Sequence, residues 1–102
     1  DILPQMLECY GAYISAVMIG PYDLSIMLGT PRNIGSAIMK SAIQEIFDIC
    51  NSYGKSCGIF CDNALLAQKY RDMGCNVLWL STDKDFFMLG YRAELEAVLG
   101  LR

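Results

Sequence analysis

Apolar residues along this chain alternate between two patterns. Short, nearly continuous apolar runs occur at about Ser15–Ile19, Ser56–Cys61 and Asn76–Leu80. Runs of four to eight such residues, bounded by turn signals, predict buried strands. The longer stretches between them keep helical spacing. Met39, Ile43, Ile46, Cys50 and Tyr53 predict one helix over about 36–53. A second is expected from a cap at Asp62 or Asn63 to about Met73. A third, from about Lys84 to Leu99, presents Phe87, Tyr91, Leu95 and Val98 on one face. Its N-cap candidates are Ser81, Thr82 and Asp83. Gly54 and Gly74 stand where left-handed helix ends are expected. An amphipathic fragment, Ile2 to Cys9, precedes the first strand and is expected to end at Gly11. After that strand, Gly29, Pro31 and Gly35 predict a loop reaching Ser36.

Three strand-then-helix units in succession predict an α/β fold with a parallel sheet covered by helices. No linker or low-complexity stretch divides them, so residues 1–102 read as one domain. Both a small doubly wound sheet and part of a (β/α)8 barrel fit the pattern. A complete barrel needs about 250 residues, so 102 residues hold only about three of its eight units.

Composition sharpens this picture. Hydrophobic residues make up 54% of the chain, above the common range of about 45–50%. For so short a chain, the excess predicts apolar surface covered from outside it. The net charge is −3 and basic residues form no run, which argues against nucleic acid or an anionic membrane as partner. The longest uncharged apolar run, Ala12–Gly20, falls well short of the roughly 20 residues that span a bilayer. No basic-then-apolar leader pattern opens the chain, and neither does Met, so a fragment or processed product is expected. Cys9, Cys50, Cys57, Cys61 and Cys75 form no C-x-x-C pair and read as reduced, mostly buried thiols of a cytoplasmic protein. The chain has no histidine, which excludes Ser-His-Asp and Cys-His catalysis within it.

The candidate chemistry lies in Ala16-Val17-Met18-Ile19-Gly20-Pro21-Tyr22-Asp23-Leu24-Ser25. A buried strand stops at Gly-Pro and a carboxylate follows at once. Asp23 is therefore expected in a loop at the C-terminal end of a strand, where α/β folds carry their chemistry. From the residues alone, a ligand or acid and a capping carboxylate both remain open for Asp23. Ser81, Thr82 and Asp83 are read as caps before active-site wall, and Asp62 and Asn63 as caps. Trp79, Phe86 and Phe87 are read as core or interface groups. No basic residues interleave with them as a base-stacking platform would require.

These residues resemble a known family. "AVMIGPYDLSIMLGTP", "IFDICNSYGKSCGIF", "YRDMGCNVLWLSTD" and "GYRAELEAVL", in this order and spacing, are similar to the HpcH/HpaI aldolase family. That is the 2,4-dihydroxyhept-2-ene-1,7-dioate aldolase group of metal-dependent pyruvate aldolases with a (β/α)8 barrel. The resemblance spans essentially the whole chain. It implies the C-terminal portion of the barrel, the end of helix 5 and units 6 to 8. It also implies that Asp23 is one of two carboxylates holding a divalent metal (Mg, Mn or Co). Gly20, Pro21, Tyr22 and Asp23 would bind the carboxylate of pyruvate, partly through backbone amides. The implied reaction is cleavage or formation of a carbon–carbon bond between pyruvate and an aldehyde or 2-oxo acid, through a metal-stabilised enolate.

The second metal carboxylate, the His-based proton relay and the substrate-clamping Arg belong to earlier strands of the family. Arg32, Arg71, Arg92 and Arg102 do not match that Arg. The isolated chain is therefore expected to be inactive. It is expected to associate with the missing N-terminal half of the barrel or with itself, as a homo-oligomer, because open strand edges and apolar faces drive association. The last helix is expected either to pack in the core or to meet a neighbouring subunit. A truncated, non-catalytic assembly or binding module and a citrate-lyase-like enolate-forming barrel are the alternatives.

Overall fold

The computed structural model describes residues 2–100, so Arg102 lies outside the described residues. Helix α1 (Leu3–Tyr10) leads through a single 3-10 turn (Gly11–Tyr13) into strand β1 (Ala16–Ile19). Then follow α2 (Pro21–Met27), α3 (Ala37–Ser52), β2 (Ser56–Cys61), α4 (Ala64–Asp72), β3 (Val77–Leu80) and α5 (Asp83–Leu99). The three strands form one parallel sheet in the order β1-β2-β3. Ala16 pairs with Ser56 and Ile19 with Ile59, while Gly58 pairs with Val77 and Cys61 with Leu80.

The helix ends follow the expected chemistry. The Ser36 side chain accepts from the Met39 amide, Asn63 from Leu66 and Thr82 from Asp85. Each satisfies a backbone N–H that the first turn leaves unpaired. Gly54 and Gly74 take left-handed conformations after α3 and α4. Gly11 does not. It sits at the end of α1 with φ −55° and carries the chain into the 3-10 turn. Its carbonyl accepts from Lys55 Nζ at 2.6 Å, which ties this turn to the start of β2.

Alternation along β2 divides the sheet into two faces. Cys57, Ile59 and Cys61 are fully buried and pack with Met39, Ile43, Phe47 and Cys50 of α3 and with Ala67 and Tyr70 of α4. Phe47 and Tyr70 meet edge to face, their ring centroids 6.4 Å apart. The helical spacing correctly placed Met39, Ile43 and Cys50 in this core, but Phe47 takes the place expected for Tyr53, which is exposed. On the other face Phe60 meets Trp79 edge to face at 5.9 Å, and Met18 lies over Gly58. Met18 and Trp79 are both exposed there, Trp79 at 60%.

One further expectation is corrected and another is narrowed. The segment after β1 is not all loop. Pro21–Met27 forms a helix because Pro at its first position costs no hydrogen bond and presets φ. Of the two places expected for the stripe Phe87, Tyr91, Leu95 and Val98, it does not take the core of this chain, since α5 buries no residue. Leu78 and Leu80 are exposed as well, although their partners Ile59 and Cys61 are fully buried.

The surface area measures this openness. A folded monomer of 11.3 kDa exposes about 5,700 Å² by the usual scaling, whereas this chain exposes 7224 Å². Its radius of gyration is 16.9 Å, against about 13 Å for a compact domain of this length. The chain therefore has the elements of a sheet-and-helix layer and lacks whatever closes its second face. No helix among the described residues is long and apolar enough to cross a membrane.

Gly58 is the tightest point of the sheet. A Cβ there would collide with Met18 Sδ and stand 2.8 Å from the Val77 carbonyl oxygen. Met18 can move, but the Val77 backbone cannot without breaking register. Gly58→Ala is expected to destabilise the chain by about 1–3 kcal/mol in urea unfolding. An unchanged midpoint would show that the three strands are not held at this spacing.

Candidate functional site

Because all three strands are parallel, their C-terminal ends gather at one edge of the sheet. Ile19 and Ile59 are paired, so Tyr22 and Asp62 each lie three residues beyond a matched pair. Cys61 and Leu80 are paired, so Asp62 and Ser81 each lie one residue beyond. Register thus converges Tyr22, Asp23, Asp62 and Ser81 on one edge.

At β1 the extended Gly20 passes the chain into Pro21, which is fully buried. The Leu24 amide donates to the Gly20 carbonyl at 3.0 Å and closes the first turn of α2. The Tyr22 and Asp23 amides precede that bond and have no acceptor within the helix. Asp23 lies in this first turn rather than in a loop. Its Oδ2 would stand 3.3 Å from a Cβ built on Gly20, so glycine leaves the carboxylate room to fold back over the turn. No hydrogen bond or ion pair occupies the Asp23 carboxylate among the described residues. It therefore offers one hard oxygen donor of the kind a divalent cation takes. Among the described residues no group of three or more His, Cys, Asp or Glu side chains gathers to hold a metal. The residues present thus fit one share of a metal site and do not make a whole one.

Tyr22 is held at both ends. Its carbonyl accepts from Ser25 Oγ at 2.6 Å, and Ser25 is fully buried. The same Oγ accepts from the Arg32 amide at 3.0 Å, which folds the following loop back on α2 and places Arg32 at φ 64°. At the other end, Tyr22 Oη donates to Asp62 Oδ2 at 2.6 Å. This hydrogen bond raises the phenol pKa above its ordinary value. Desolvation and the Asp62 charge add to the rise, the Arg32 guanidinium opposes it, and Asp85 reinforces it.

Sequence reasoning missed the roles of Ser25, Asp62 and Asp85. Of the two cap candidates, Asn63 takes the role and leaves Asp62 to Tyr22. The signal available in the sequence was strand register, which needs the paired residues to be known.

Ser81 closes the edge at β3. It is 3% exposed and takes φ 54°, a strained conformation for a residue with a Cβ. Its amide donates to the Cys61 carbonyl at 2.7 Å, while its Oγ is buried without a partner among the described residues. Thr82, not Ser81, is the cap of α5. Between the strand ends, Gly20, Pro21, Tyr22, Asp23, Phe60 and Trp79 line a shallow recess of about 270 Å³. Of the expected site residues, the structure brings Gly20, Pro21, Tyr22 and Asp23 together around this recess.

Three parallel strands alternating with helices fit part of a (β/α)8 barrel. Comparison with known proteins agrees. The chain is 30% identical to a hydroxypyruvate/pyruvate aldolase of Pseudomonas aeruginosa over 79 residues, covering 78% of this chain and 30% of that protein. It is 33% identical over 92 residues to a 4-hydroxy-2-oxo-heptane-1,7-dioate aldolase of Escherichia coli, covering 90% of this chain and 34% of that protein. Among solved structures, an HpcH/HpaI aldolase/citrate lyase family protein from Burkholderia cenocepacia superposes with a TM-score of 0.79 at 25% identity, over 82% of this chain and 33% of that one. An HpcH/HpaI aldolase from Desulfitobacterium hafniense superposes at 0.78 and 18% identity, over 94% and 37% respectively. No family model matches the chain. The chain belongs to the HpcH/HpaI aldolase family, and it spans about a third of the length of the curated relatives it matches.

No cysteine lines the recess at this edge. Cys50, Cys57, Cys61 and Cys75 are buried and unpaired, and Cys9 is exposed. Burial pushes the Cys57 thiol up to about 12 and the Cys61 thiol up to about 11, with neighbouring thiols adding to both. Burial also raises Cys50 and Cys75. Thiols held protonated and out of solvent react slowly. Alkylation with iodoacetamide at pH 8 is expected to modify Cys9 alone in the folded chain and all five cysteines in denaturant. Rapid modification of Cys57 or Cys61 without denaturant would contradict the packing of β2 against α3.

Proposed function

We propose that this chain forms part of a class II aldolase, a carbon–carbon lyase acting on pyruvate and an aldehyde or 2-oxo acid. The observation that carries this reading is the Gly20-Pro21-Tyr22-Asp23 turn. It stands at the C-terminal edge of a parallel sheet whose relatives are named aldolases. In this reading residues 1–102 are one partial barrel domain in a cytoplasmic, homo-oligomeric enzyme. The remaining barrel strands come from outside the described sheet, from the missing N-terminal half of the barrel or from another copy. The open β1 and β3 edges support such completion. So does the surface excess of about 1,500 Å², since a stable interface takes about 800 Å² from each partner.

Within the completed barrel, Asp23 is one ligand of a divalent cation (Mg, Mn or Co). When bound, such a cation polarises the 2-oxo group and stabilises the negative charge that develops beside it. The chain's own residues bind and orient. The Tyr22 and Asp23 amides, free of helix acceptors, donate to the pyruvate carboxylate. Gly20 keeps the turn narrow enough for Asp23 to reach its place, and Pro21 fixes the start of α2. In cleavage of a 4-hydroxy-2-oxo acid the C3–C4 bond breaks, the 4-hydroxyl loses its proton to become an aldehyde, and C3 gains a proton to become the pyruvate methyl. No described residue of this chain is assigned that proton, and a base from the other strands must carry it.

The test is pyruvate release from a 4-hydroxy-2-oxo acid with added Mn, using the chain completed by the remaining barrel strands. Asp23→Ala is expected to lower turnover by at least about 100-fold, with the fold intact by circular dichroism. Full activity in that variant would remove Asp23 from the site. No pyruvate from the completed barrel with any of the three metals would overturn the aldolase reading.

A further inference from the structure

The Tyr22–Asp62 pair joins side chains 40 residues apart across the ends of β1 and β2. Tyr22 is 40% exposed, and hydrogen bonds at such sites add little to stability. The pair nevertheless fixes the phenol firmly, because the buried Ser25 holds the backbone of Tyr22 while Asp62 holds its tip. The ring is thereby a shared wall. On one side lies the recess with Asp23, Phe60 and Trp79. On the other lies a recess of about 460 Å³ with Ile26 and Arg32.

The chemistry of this wall is specific. Tyr22 spends its one proton on Asp62, so the phenolic oxygen keeps only acceptor capacity. Asp62 Oδ1 has no hydrogen bond among the described residues and accepts too. Asp85 brings a second carboxylate close enough to act on the phenol. The Arg32 guanidinium opposes these charges and lines the recess behind the ring, whereas the recess in front holds Asp23 and no basic side chain, so on that side the wall binds a hydroxyl donor and repels an anion. We propose that Tyr22 and Asp62 select the aldehyde partner of the aldolase site, favouring neutral hydroxyaldehydes over aldehydes that carry a carboxylate. This inference rests on the aldolase reading above and adds to it the class of acceptor and the residues that choose it.

The test is aldol addition of pyruvate to glycolaldehyde and to glyoxylate by the completed barrel, read as the ratio of the two kcat/KM values. Asp62→Asn keeps the size of the side chain and removes its charge. It is expected to raise kcat/KM for glyoxylate and lower the glycolaldehyde-to-glyoxylate ratio by about three- to tenfold. Tyr22→Phe keeps the ring and removes the acceptor oxygen. It is expected to lower glycolaldehyde more than glyoxylate and so lower the ratio. A purely structural role would lower both substrates together in both variants and leave the ratio fixed. That result, with turnover retained, overturns the inference and leaves the aldolase reading standing. Absence of turnover with either aldehyde in the unmutated protein overturns both.

Discussion

A parallel sheet is stable only when both of its faces are covered, because crossover helices and side chains must bury what the strands expose. In this chain one face is closed over β2 only. Helices α3 and α4 seal Cys57, Ile59 and Cys61 into a core that includes Phe47 and Tyr70. The other face, with Met18, Phe60 and Trp79, is open, and the edges of β1 and β3 have no partner strand in the sheet. Helix α5 buries nothing, which leaves Leu78 and Leu80 bare on the face where the other helices pack. The composition, the surface excess and the elongated shape all follow from this one imbalance.

The same geometry places the chemistry. Parallel strands bring their C-terminal ends to one edge, and register then decides which side chains meet there. One carboxylate, Asp23, is left unpartnered beside a glycine that gives it room, while Asp62 is drawn to Tyr22. The described residues assemble no complete ligand set, which agrees with a chain that spans about a third of its relatives' length. In the proposed reading the site is a share, finished by strands that the sheet does not contain.

Much of this was legible in the residues. Periodicity and caps located α3, α4, β2 and the limits of α5, and the Gly-Pro-x-Asp turn marked the C-terminal end of β1. Helix α2 was not legible, because Gly29, Pro31 and Gly35 dominate the segment and seven residues give periodicity little to act on. The exposure of α5 and Trp79 was only half legible. An apolar stripe states that burial is required and says nothing of whether this chain supplies it. The Tyr22–Asp62 pair lay beyond sequence reasoning, since it depends on a register fixed by pairing of residues 40 positions apart.

The central claim is that the open face of the sheet is an interface. Sedimentation equilibrium of the purified chain at micromolar concentration tests it most directly. The account predicts a mass above 11.3 kDa, from self-association or from a co-purifying barrel half, falling to the monomer value only in denaturant. A clean 11.3 kDa monomer, folded and stable across that range, would contradict it.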